Sequence, residues 1–471
     1  MQKIWDLNKY ADNLALSDEY GCKLTYRDLN IESSKLVELI GHRCLVFQLC
    51  RNEIGSMLGY VAFLNSDIVP VMLSDHLEES LLENLMKTYC PEYLWIPQNM
   101  INKFMGMKTI YMAYDYALIK TLYSTKYPLY DELALLITTS GSTGSPKLVR
   151  QSYENILDNA EAIAEYLQID SSERPITTLP MNYVYGLSII NSHLLVGATL
   201  LITDKGLMQK EFWEFFKQGE ATSFGGVPYT YEMLDKLRIY GMDLPSLRTM
   251  TQAGGKITVE LHDKFAKYAA DQKKKFVVMY GASEATSRMS YLPPDKAVEK
   301  RGSIGIPIPR GKFTLVDTDG EVITTPWTIG ELVYEGKNVT LGYAEKGEDL
   351  ILKDERRGRL ETGDMAEYDE DGYYYIIGRK KRYLKIYGNR VNLDECERIL
   401  KGRFNVELAC GGRDDHMVIF LTDATLEKEI RSYIVEKTKL NSAAFTTNII
   451  DQIPKNDAGK TLYKELEKYY L

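Results

Sequence analysis

Apolar residues in roughly the first 290 positions are concentrated in short uninterrupted runs, which predict strands buried on both faces. The runs are CLVFQL (44–49), LALLITT (133–139), ATLLIT (198–203) and FVVMY (276–280). Between them, apolar residues recur at helical spacing, as at positions 156, 160, 163, 164 and 167, and Ser152 is placed to begin that helix. Because strands alternate with helices, we predict an α/β architecture of mostly parallel sheets flanked by helices.

The pattern changes from about Gly302 to Tyr375, where short apolar runs are separated by turn signals such as TDGE and DEDGYYYI. The basic run GRKKRYLK (378–385) precedes a helix near 393–400, the strand runs VELAC and MVIFLT, a helix near 426–437 and a last helix after Gly459. We therefore predict a large amino-terminal domain (1–380) with a small β-barrel-like subdomain (about 302–375). A small α+β carboxyl-terminal domain (381–471) follows it.

Charge and composition exclude several classes of function. The net charge of −9 at pH 7 argues against a nucleic-acid or anionic-membrane surface. The chain has no run of 18 apolar residues and no signal-like amino terminus, so we predict neither a membrane span nor export. The six cysteines are scattered without zinc-type spacing, which indicates reduced thiols and a cytoplasmic protein.

The clearest chemical signal is the run TTSGSTGSPK (138–147), which follows a buried strand. Its two glycines let backbone amides converge on an anion, its hydroxyl side chains add donors, and Lys147 adds a positive charge. The spacing differs from the G-x-x-x-x-G-K-[ST] loop of nucleotide triphosphatases. For the loop alone, an ordinary strand-to-helix turn stays open as an alternative.

Three further elements follow along the chain. YGASEAT (280–286) comes directly after the FVVMY strand, where open α/β sheets bind ligands, and the Glu284 carboxylate is suited to magnesium. ETGD (361–364) places Asp364 to accept hydrogen bonds from ribose hydroxyls, while Arg379 offers a planar fork to ribose or phosphate. PKNDAGK (454–460) ends in Lys460. Taken singly, these are also compatible with turn carboxylates and surface cations.

Together and in this order, the four elements resemble the adenylate-forming (AMP-binding) superfamily of acyl-CoA synthetases, peptide-synthetase adenylation domains and luciferases. The pattern is closest to acyl-activating ligases and covers nearly the whole chain. The resemblance implies ATP-dependent activation of a small carboxylic acid to an acyl-adenylate with release of pyrophosphate. The acyl group then passes to a thiol of coenzyme A or of a carrier-protein phosphopantetheine. Two alternatives stay open: amino-acid adenylation for carrier-protein loading, and a non-catalytic nucleotide-binding homologue.

The resemblance also implies roles for individual residues. The implied ATP- and AMP-binding set is Thr139, Ser140, Gly141, Ser142, Thr143, Gly144, Lys147, Gly254, Gly255, Tyr280, Gly281, Ala282, Ser283, Asp364, Arg379 and Lys460. The implied catalytic residues are Thr143, Glu284 and Lys460, of which Thr143 and Glu284 hold Mg²⁺. Lys381 is the implied hinge, Gly388 lines the thiol tunnel, and the acid pocket is formed by Tyr183, Gly225, Gly226 and Ala253. Tyr183 stands where many acyl-activating relatives have histidine.

We expect the substitution Lys460→Ala to abolish acyl-adenylate formation, because the lysine neutralises charge that develops on the carboxylate and α-phosphate oxygens. Thiol transfer from a supplied acyl-adenylate should stay largely intact, since the resemblance assigns that step to a second domain position. Measuring both half-reactions separately checks this expectation. Equal loss of the two steps would contradict the assignment of Lys460 to one of them.

Overall fold

The computed structural model describes residues 4–124, 126–138, 147–380, 382–455 and 461–470, without the side chains at positions 389 and 390. The α-helices are α1 Tyr26–Ile40, α2 Ile54–Leu64, α3 Glu79–Tyr89, α4 Tyr153–Leu167, α5 Val184–Leu195, α6 Lys210–Gln218, α7 Pro228–Lys236, α8 Val259–Asp271, α9 Leu393–Phe404, α10 Glu427–Thr438 and α11 Tyr463–Leu466. Short 3₁₀ turns also occur, and one of them, Ser283–Ala285, lies in the candidate site.

The first strands in chain order are β1 Leu14–Asp18, β2 Lys23–Thr25, β3 Leu45–Cys50, β4 Val69–Ser74, β5 Tyr93–Pro97, β6 Lys108–Ala113, β7 Tyr116–Lys120, β8 Leu133–Thr138, β9 Leu148–Ser152, β10 Leu200–Ile202, β11 Ser223–Gly226, β12 Thr249–Gln252 and β13 Lys275–Gly281. The later strands are β14 Arg288–Tyr291, β15 Ile306–Pro307, β16 Lys312–Val316, β17 Gly330–Glu335, β18 Gly342–Ala344, β19 Arg359–Tyr368, β20 Tyr374–Arg379, β21 Tyr383–Ile386, β22 Asn389–Asn392, β23 Leu408–Arg413, β24 His416–Leu421 and β25 Phe445–Ile449.

The largest sheet has eight strands in the order β18-β9-β8-β4-β3-β5-β7-β6. Its four central strands, β8, β4, β3 and β5, run parallel, whereas the outer pairs are antiparallel. All six residues of β3 are buried, because helices and loops cover both faces of a parallel sheet. The apolar runs at 44–49 and 133–139 therefore predict their strands correctly.

A second sheet has five strands in the order β11-β12-β13-β14-β15. The first three run parallel, and the last two are antiparallel to their neighbours. The register pairs Gly226 with Gln252, and Gln252 with Val278. The carboxyl ends of β11, β12 and β13 consequently lie at one edge of the sheet. The run FVVMY lies within β13, and ATLLIT contains β10 of a small third sheet, β10-β1-β2.

Helix α4 begins where the sequence predicts it. The Ser152 hydroxyl accepts a hydrogen bond from the Asn155 backbone N–H at 3.1 Å, and the Asn155 side chain accepts one from the Ser152 N–H at 2.8 Å. This reciprocal capping satisfies two backbone donors at the helix start. Ile156, Ile163 and Leu167 of the predicted apolar face are buried.

The stretch from 302 to 375 has the short strands that its sequence predicts, but they do not form one sheet. Strand β15 is an edge of the five-stranded sheet, and β18 pairs with β9 at the edge of the eight-stranded sheet. Strands β16, β17, β19 and β20 form a separate four-stranded sheet. Local turn signals indicate where strands begin and end, whereas their partners are set by contacts distant in sequence.

The chain is divided into two compact units, one of which consists of the residues up to Lys312 and Tyr334–Leu360. The smaller unit takes Phe313–Val333 and the residues from Glu361 onward. The predicted domain boundary at residues 380 and 381 stays a prediction. Within the smaller unit, the helix near 393–400, both predicted strands and the helix near 426–437 correspond to α9, β23, β24 and α10.

The helices and the cysteines can be compared with the predictions made from composition. Every helix in the described part of the chain is too short or too polar to cross a lipid bilayer. All six cysteines are free thiols, and five of them are buried.

Candidate functional site

Three predicted segments meet at the carboxyl edge of the five-stranded sheet. Strand β11 ends with Gly226, β12 is followed by Ala253, Gly254 and Gly255, and β13 ends in Tyr280 and Gly281. Because these strands are parallel neighbours in register, the segments that follow them lie side by side. The structure therefore brings residues predicted for the acid pocket beside residues predicted for the nucleotide, at the position where open α/β sheets bind ligands.

The glycines at this edge permit close approach of tyrosine side chains. Gly254 has a φ of +81°, and a Cβ there would lie 2.5 Å from the Tyr183 hydroxyl. A Cβ at Gly225 would lie 2.7 Å from Ile189 Cδ1 and 3.1 Å from the Tyr185 hydroxyl. Burial raises the pKa of Tyr183 to about 12, so its hydroxyl stays protonated and available as a donor. Tyr183 thus lies against Gly254, in a segment predicted to bind the nucleotide.

Glu284 lies in the 3₁₀ turn directly after β13. Its Oε1 accepts a hydrogen bond of 2.6 Å from the Tyr343 hydroxyl, and its backbone carbonyl accepts bonds from Thr340 and from Arg356 Nη1. The backbone bonds fix the turn, and the tyrosine orients the carboxylate. Glu284 Oε2 accepts no hydrogen bond from the residues that the structure describes, which leaves it as an oxygen ligand for a hard cation.

Tyr343 is a residue that the sequence analysis misses. Lys147 Nζ lies 3.7 Å from its ring centroid, and the Arg356 guanidinium carbon lies 4.5 Å away. Burial, with the nearby Glu284 carboxylate, raises the pKa of Tyr343 to about 12. Two cations and one carboxylate therefore converge on a neutral phenol. The sequence carried no signal for this, because LGYA (341–344) reads only as a short strand.

The glycine- and serine-rich loop joins two antiparallel strands. Thr138 at the end of β8 pairs with Leu148 at the start of β9 in an antiparallel register. The alternative of a strand-to-helix turn is wrong, because strand β9 precedes the helix that begins after Ser152. The sequence did not predict β9 because two of its buried residues, Arg150 and Gln151, are polar and interrupt the apolar pattern.

Several predicted residues lie outside the described ranges. They are Thr139, Ser140, Gly141, Ser142, Thr143, Gly144, Lys381 and Lys460.

One buried asparagine fixes the segment that follows Glu284. Asn338 Nδ2 donates to the backbone carbonyls of Ala285 at 2.9 Å and of Arg288 at 3.1 Å. The hydroxyl of Thr286, a residue with a φ of +63°, donates to the Asn338 carbonyl at 2.7 Å. These bonds hold a left-handed turn that a threonine adopts only under constraint. Glu284 and Arg288 are thereby fixed at the two ends of one short rigid segment.

The remaining predicted residues lie in the smaller unit. Asp364 of β19 and Arg379 of β20 are direct partners in an antiparallel ladder, and Arg379 Nε lies 2.6 Å from Asp364 Oδ1. The Asp364 side chain is 6% exposed, while that of Arg379 is 64% exposed. Gly388, with a φ of +85°, occupies the two-residue turn between β21 and β22. The pair Asp364 and Arg379 was predicted as two separate ligands and is found as one ion pair.

A cavity of about 20 Å³ lies beside the acid-pocket residues. Residues that line it include Glu173, Ile189, His193, Phe224, Thr251 and Arg288. His193 Nδ1 is 2.8 Å from the Ile189 backbone oxygen, and burial lowers the pKa of this histidine to about 4. His193 is therefore uncharged at neutral pH. The predicted acid-pocket set of Tyr183, Gly225, Gly226 and Ala253 includes none of these residues.

Comparison with known proteins places the chain among nucleotide-dependent enzymes. A model of the family described as AMP-binding enzyme matches residues 5–344, more than half of the chain. The long-chain-fatty-acid–CoA ligase of Bacillus subtilis is 28% identical over 340 residues, which cover 68% of this chain and 59% of the ligase. The chain thus matches less than two thirds of that relative.

Solved structures agree in fold. The o-succinylbenzoate–CoA synthetase of Bacillus subtilis, in complex with its acyl-adenylate intermediate, superimposes with a TM-score of 0.80 at 22% identity, covering 99% of this chain and 98% of the synthetase. A structure of the same synthetase with ATP and a magnesium ion gives a TM-score of 0.79 at 20% identity, with 99% of each chain covered. The likeness confirms the predicted α/β fold class.

We expect Gly281→Ala to destabilise the larger unit by about 2 kcal/mol or more, as overpacking does. A Cβ at Gly281 would lie 1.7 Å from the Ser287 backbone oxygen, which cannot rotate away. Denaturant unfolding curves of the wild type and the variant measure the change in unfolding free energy, provided that their m-values are equal. Gly241→Ala is the matched control, because nothing lies within 4 Å of a Cβ there. A similar midpoint shift for both variants would contradict the steric explanation.

The depressed pKa of His193 predicts acid sensitivity. The unfolded state takes up a proton near pH 6.5, whereas the folded state resists protonation down to about pH 4. Stability should therefore be full above pH 6.5 and decrease as the pH falls toward 4, by about 3 kcal/mol from this group. Unfolding free energies of the wild type and His193→Asn across this range measure the difference. The unfolding free energy of His193→Asn should depend less steeply on pH than that of the wild type. Parallel curves for the two proteins would contradict the lowered pKa of His193.

Proposed function

The chain belongs to the AMP-binding enzyme family, as its motifs predict, and from that premise we propose that it is an AMP-forming acid–thiol ligase. The observation that carries the proposal is the edge where β11, β12 and β13 end. There the acid-pocket residues Gly225, Gly226 and Ala253 lie beside the nucleotide residues that follow β12 and β13. A carboxylate and an α-phosphate held in these two places would be adjacent.

The proposed reaction has two steps. In the first, an oxygen of the substrate carboxylate attacks the α-phosphorus of ATP, the bond to the bridging oxygen breaks, and pyrophosphate leaves. In the second, a thiol sulfur attacks the acyl carbonyl carbon, the thiol proton is released, and AMP leaves. Neither step requires a protein nucleophile. Alignment of two anions and neutralisation of developing charge supply the rate enhancement.

We assign the described residues as follows. The segments Ala253–Gly255 and Tyr280–Ser283 hold the base and sugar side of the nucleotide, and Asp364 with Arg379 meets the ribose. Asp364 and Arg379 keep the ribose role that the family resemblance implies, and they form an ion pair in which the carboxylate is buried and the guanidinium is exposed. Tyr183 keeps the acid-pocket role that the family resemblance implies. Lys460, Thr143 and the hinge Lys381 keep the roles that the family resemblance implies.

Glu284 fits a magnesium ion. One of its oxygens is held by Tyr343, the other accepts no hydrogen bond from the described residues, and a carboxylate is the usual protein ligand of this ion beside substrate phosphates. When bound, magnesium would neutralise charge on the phosphates of ATP. Lys147, which directly precedes β9, adds a second positive charge beside the Tyr343 ring, and its Nζ lies 3.4 Å from Glu345 Oε1.

Coenzyme A is the thiol acceptor that we propose, because the relatives named above are CoA ligases. A carrier-protein phosphopantetheine is the alternative acceptor. Amino-acid adenylation is disfavoured by the charge of the pocket, since the cavity beside it contains the cation Arg288, which would repel a substrate ammonium group. A cytoplasmic location and the absence of nucleic-acid partners stay part of this proposal.

ATP–pyrophosphate exchange tests the first step directly. The purified chain should exchange labelled pyrophosphate into ATP in the presence of its acid, across a panel of fatty, aryl, hydroxy, dicarboxylic and amino acids. Coenzyme A and a phosphopantetheinylated carrier protein are then compared as acceptors. Exchange with an amino acid alone would favour the alternative function, and exchange with no acid would refute ligase activity.

Tyr343→Phe should weaken the apparent affinity for Mg²⁺ by about tenfold or more, because an outer hydrogen bond that orients a metal ligand is lost. A Mg²⁺ titration of pyrophosphate release measures this effect. Tyr240→Phe, which removes a hydroxyl bound to Asp235 at 2.8 Å, is a matched control and should leave the titration unchanged. An unchanged Mg²⁺ dependence in Tyr343→Phe would contradict the role of Glu284 as the metal ligand.

A further inference from the structure

Arg288 is a buried cation directly behind the acid pocket. It begins strand β14, four positions after Glu284, and only 2% of its surface is exposed. Arg288 Nε donates to the Ser188 hydroxyl at 3.1 Å, and Nη1 donates to the Tyr166 hydroxyl at 3.0 Å and to a methionine sulfur at 3.3 Å. Its guanidinium carbon lies 5.2 Å from the ring centroid of Tyr185. All of these partners are uncharged.

Two other arginines with little exposed surface, Arg150 and Arg382, have carboxylate partners. Arg150, with no exposed side-chain surface, forms an ion pair with Glu355 and donates to several backbone carbonyls. In the smaller unit, Arg382 pairs with Asp394 and Glu397. Within the described ranges, no carboxylate forms an ion pair with Arg288. A buried charge without a counter-charge is costly, so its retention calls for a ligand that supplies one.

The carboxylate that shares the cavity with Arg288 is already engaged elsewhere. Glu173 accepts a hydrogen bond from the Thr222 hydroxyl, and its Oε1 lies 3.4 Å from Arg248 Nη1. His193, on the same cavity, is uncharged at neutral pH because burial lowers its pKa. The charge on Arg288 is therefore the unbalanced charge of this cavity.

The cavity adjoins the proposed acid pocket. Ile189 lines the cavity and is also the side chain that a Cβ at Gly225 would touch at 2.7 Å. Thr251, another lining residue, shares a hydrogen bond of 2.8 Å with the Tyr185 hydroxyl. A volume of about 20 Å³ has room for one small polar group next to Arg288. An acid whose far end occupied this cavity would place that end beside the cation.

We propose that the acid substrate carries a second carboxylate, which Arg288 binds while the first carboxylate is activated at the Glu284 end of the same rigid segment. The inference rests on the proposed ligase function and specifies the substrate class. A guanidinium and a carboxylate form paired charge-assisted hydrogen bonds, and Arg288 has one terminal nitrogen, Nη2, without a hydrogen bond to the described residues. Arg288 is accordingly a specificity-determining residue.

The test compares dicarboxylic acids with their monoamides, which have nearly the same shape but lack the second charge. A series from succinate to sebacate covers the range of chain length. In ATP–pyrophosphate exchange, the best diacid should exceed its monoamide in kcat/KM by about tenfold or more, mostly through KM. The variant Arg288→Met should lose this preference while it keeps exchange with the monoamide. Ser188→Ala, which removes a neutral partner of Arg288 and keeps the charge, should retain the preference.

The outcomes separate this inference from the proposed function. Exchange in which diacids and monoamides are equal in the wild type, or in which Arg288→Met preserves the preference, would overturn the second-carboxylate proposal and leave the ligase function standing. Exchange with no acid at all would overturn both. If Arg288→Met does not fold, the wild-type comparison of each diacid with its monoamide still decides between these results.

Discussion

The parallel register of β11, β12 and β13 is the constraint on which the candidate site depends. Strands that run in the same direction must end at the same edge, so the segments that follow Gly226, Gln252 and Gly281 are brought within reach of one ligand although they are distant in sequence. The glycines at this edge then decide how closely the segments approach. Gly225 and Gly254 lack the side chains that would exclude Ile189 and Tyr183, and Gly281 leaves room for the Ser287 carbonyl.

A second constraint acts on the segment from Glu284 to Arg288. Asn338 is fully buried, and it donates to two backbone carbonyls of this segment while accepting a hydrogen bond from Tyr334. Because an unsatisfied buried amide is costly, these hydrogen bonds favour the backbone arrangement found in this segment. One end of the segment presents a carboxylate beside Tyr343, and the other end presents a buried guanidinium. The proposed metal ligand and the proposed specificity residue are therefore coupled through a single rigid turn.

Charge is distributed unevenly between the two ends of this turn. At the Glu284 end, Lys147 and Arg356 lie against the Tyr343 ring, where a phosphate-bearing ligand would find both cations and a site for a metal. At the Arg288 end, a single cation is surrounded by hydroxyls, a thioether and an aromatic ring. The first environment suits a polyanion with a divalent ion, and the second suits one carboxylate. This difference supports a substrate with two anionic groups of unequal role.

The sequence by itself determined the family, the α/β class and the positions of the main buried strands, and it predicted the segments of the candidate site, because these depend on local apolar runs and on motifs whose order is specific. It also located Ser152 at the start of α4 and the helices of the smaller unit.

The sequence could not show that strand β9 separates the phosphate loop from that helix, since buried Arg150 and Gln151 conceal the strand in the hydropathy pattern. Nor could it divide the strands of 302–375 among three sheets, because strand pairing depends on distant partners. Only the tertiary structure decided that Tyr343 reaches Glu284 from 59 positions away and that Arg288 is buried without an ion pair to any carboxylate of the described residues, because burial and charge pairing are properties of neighbours in space.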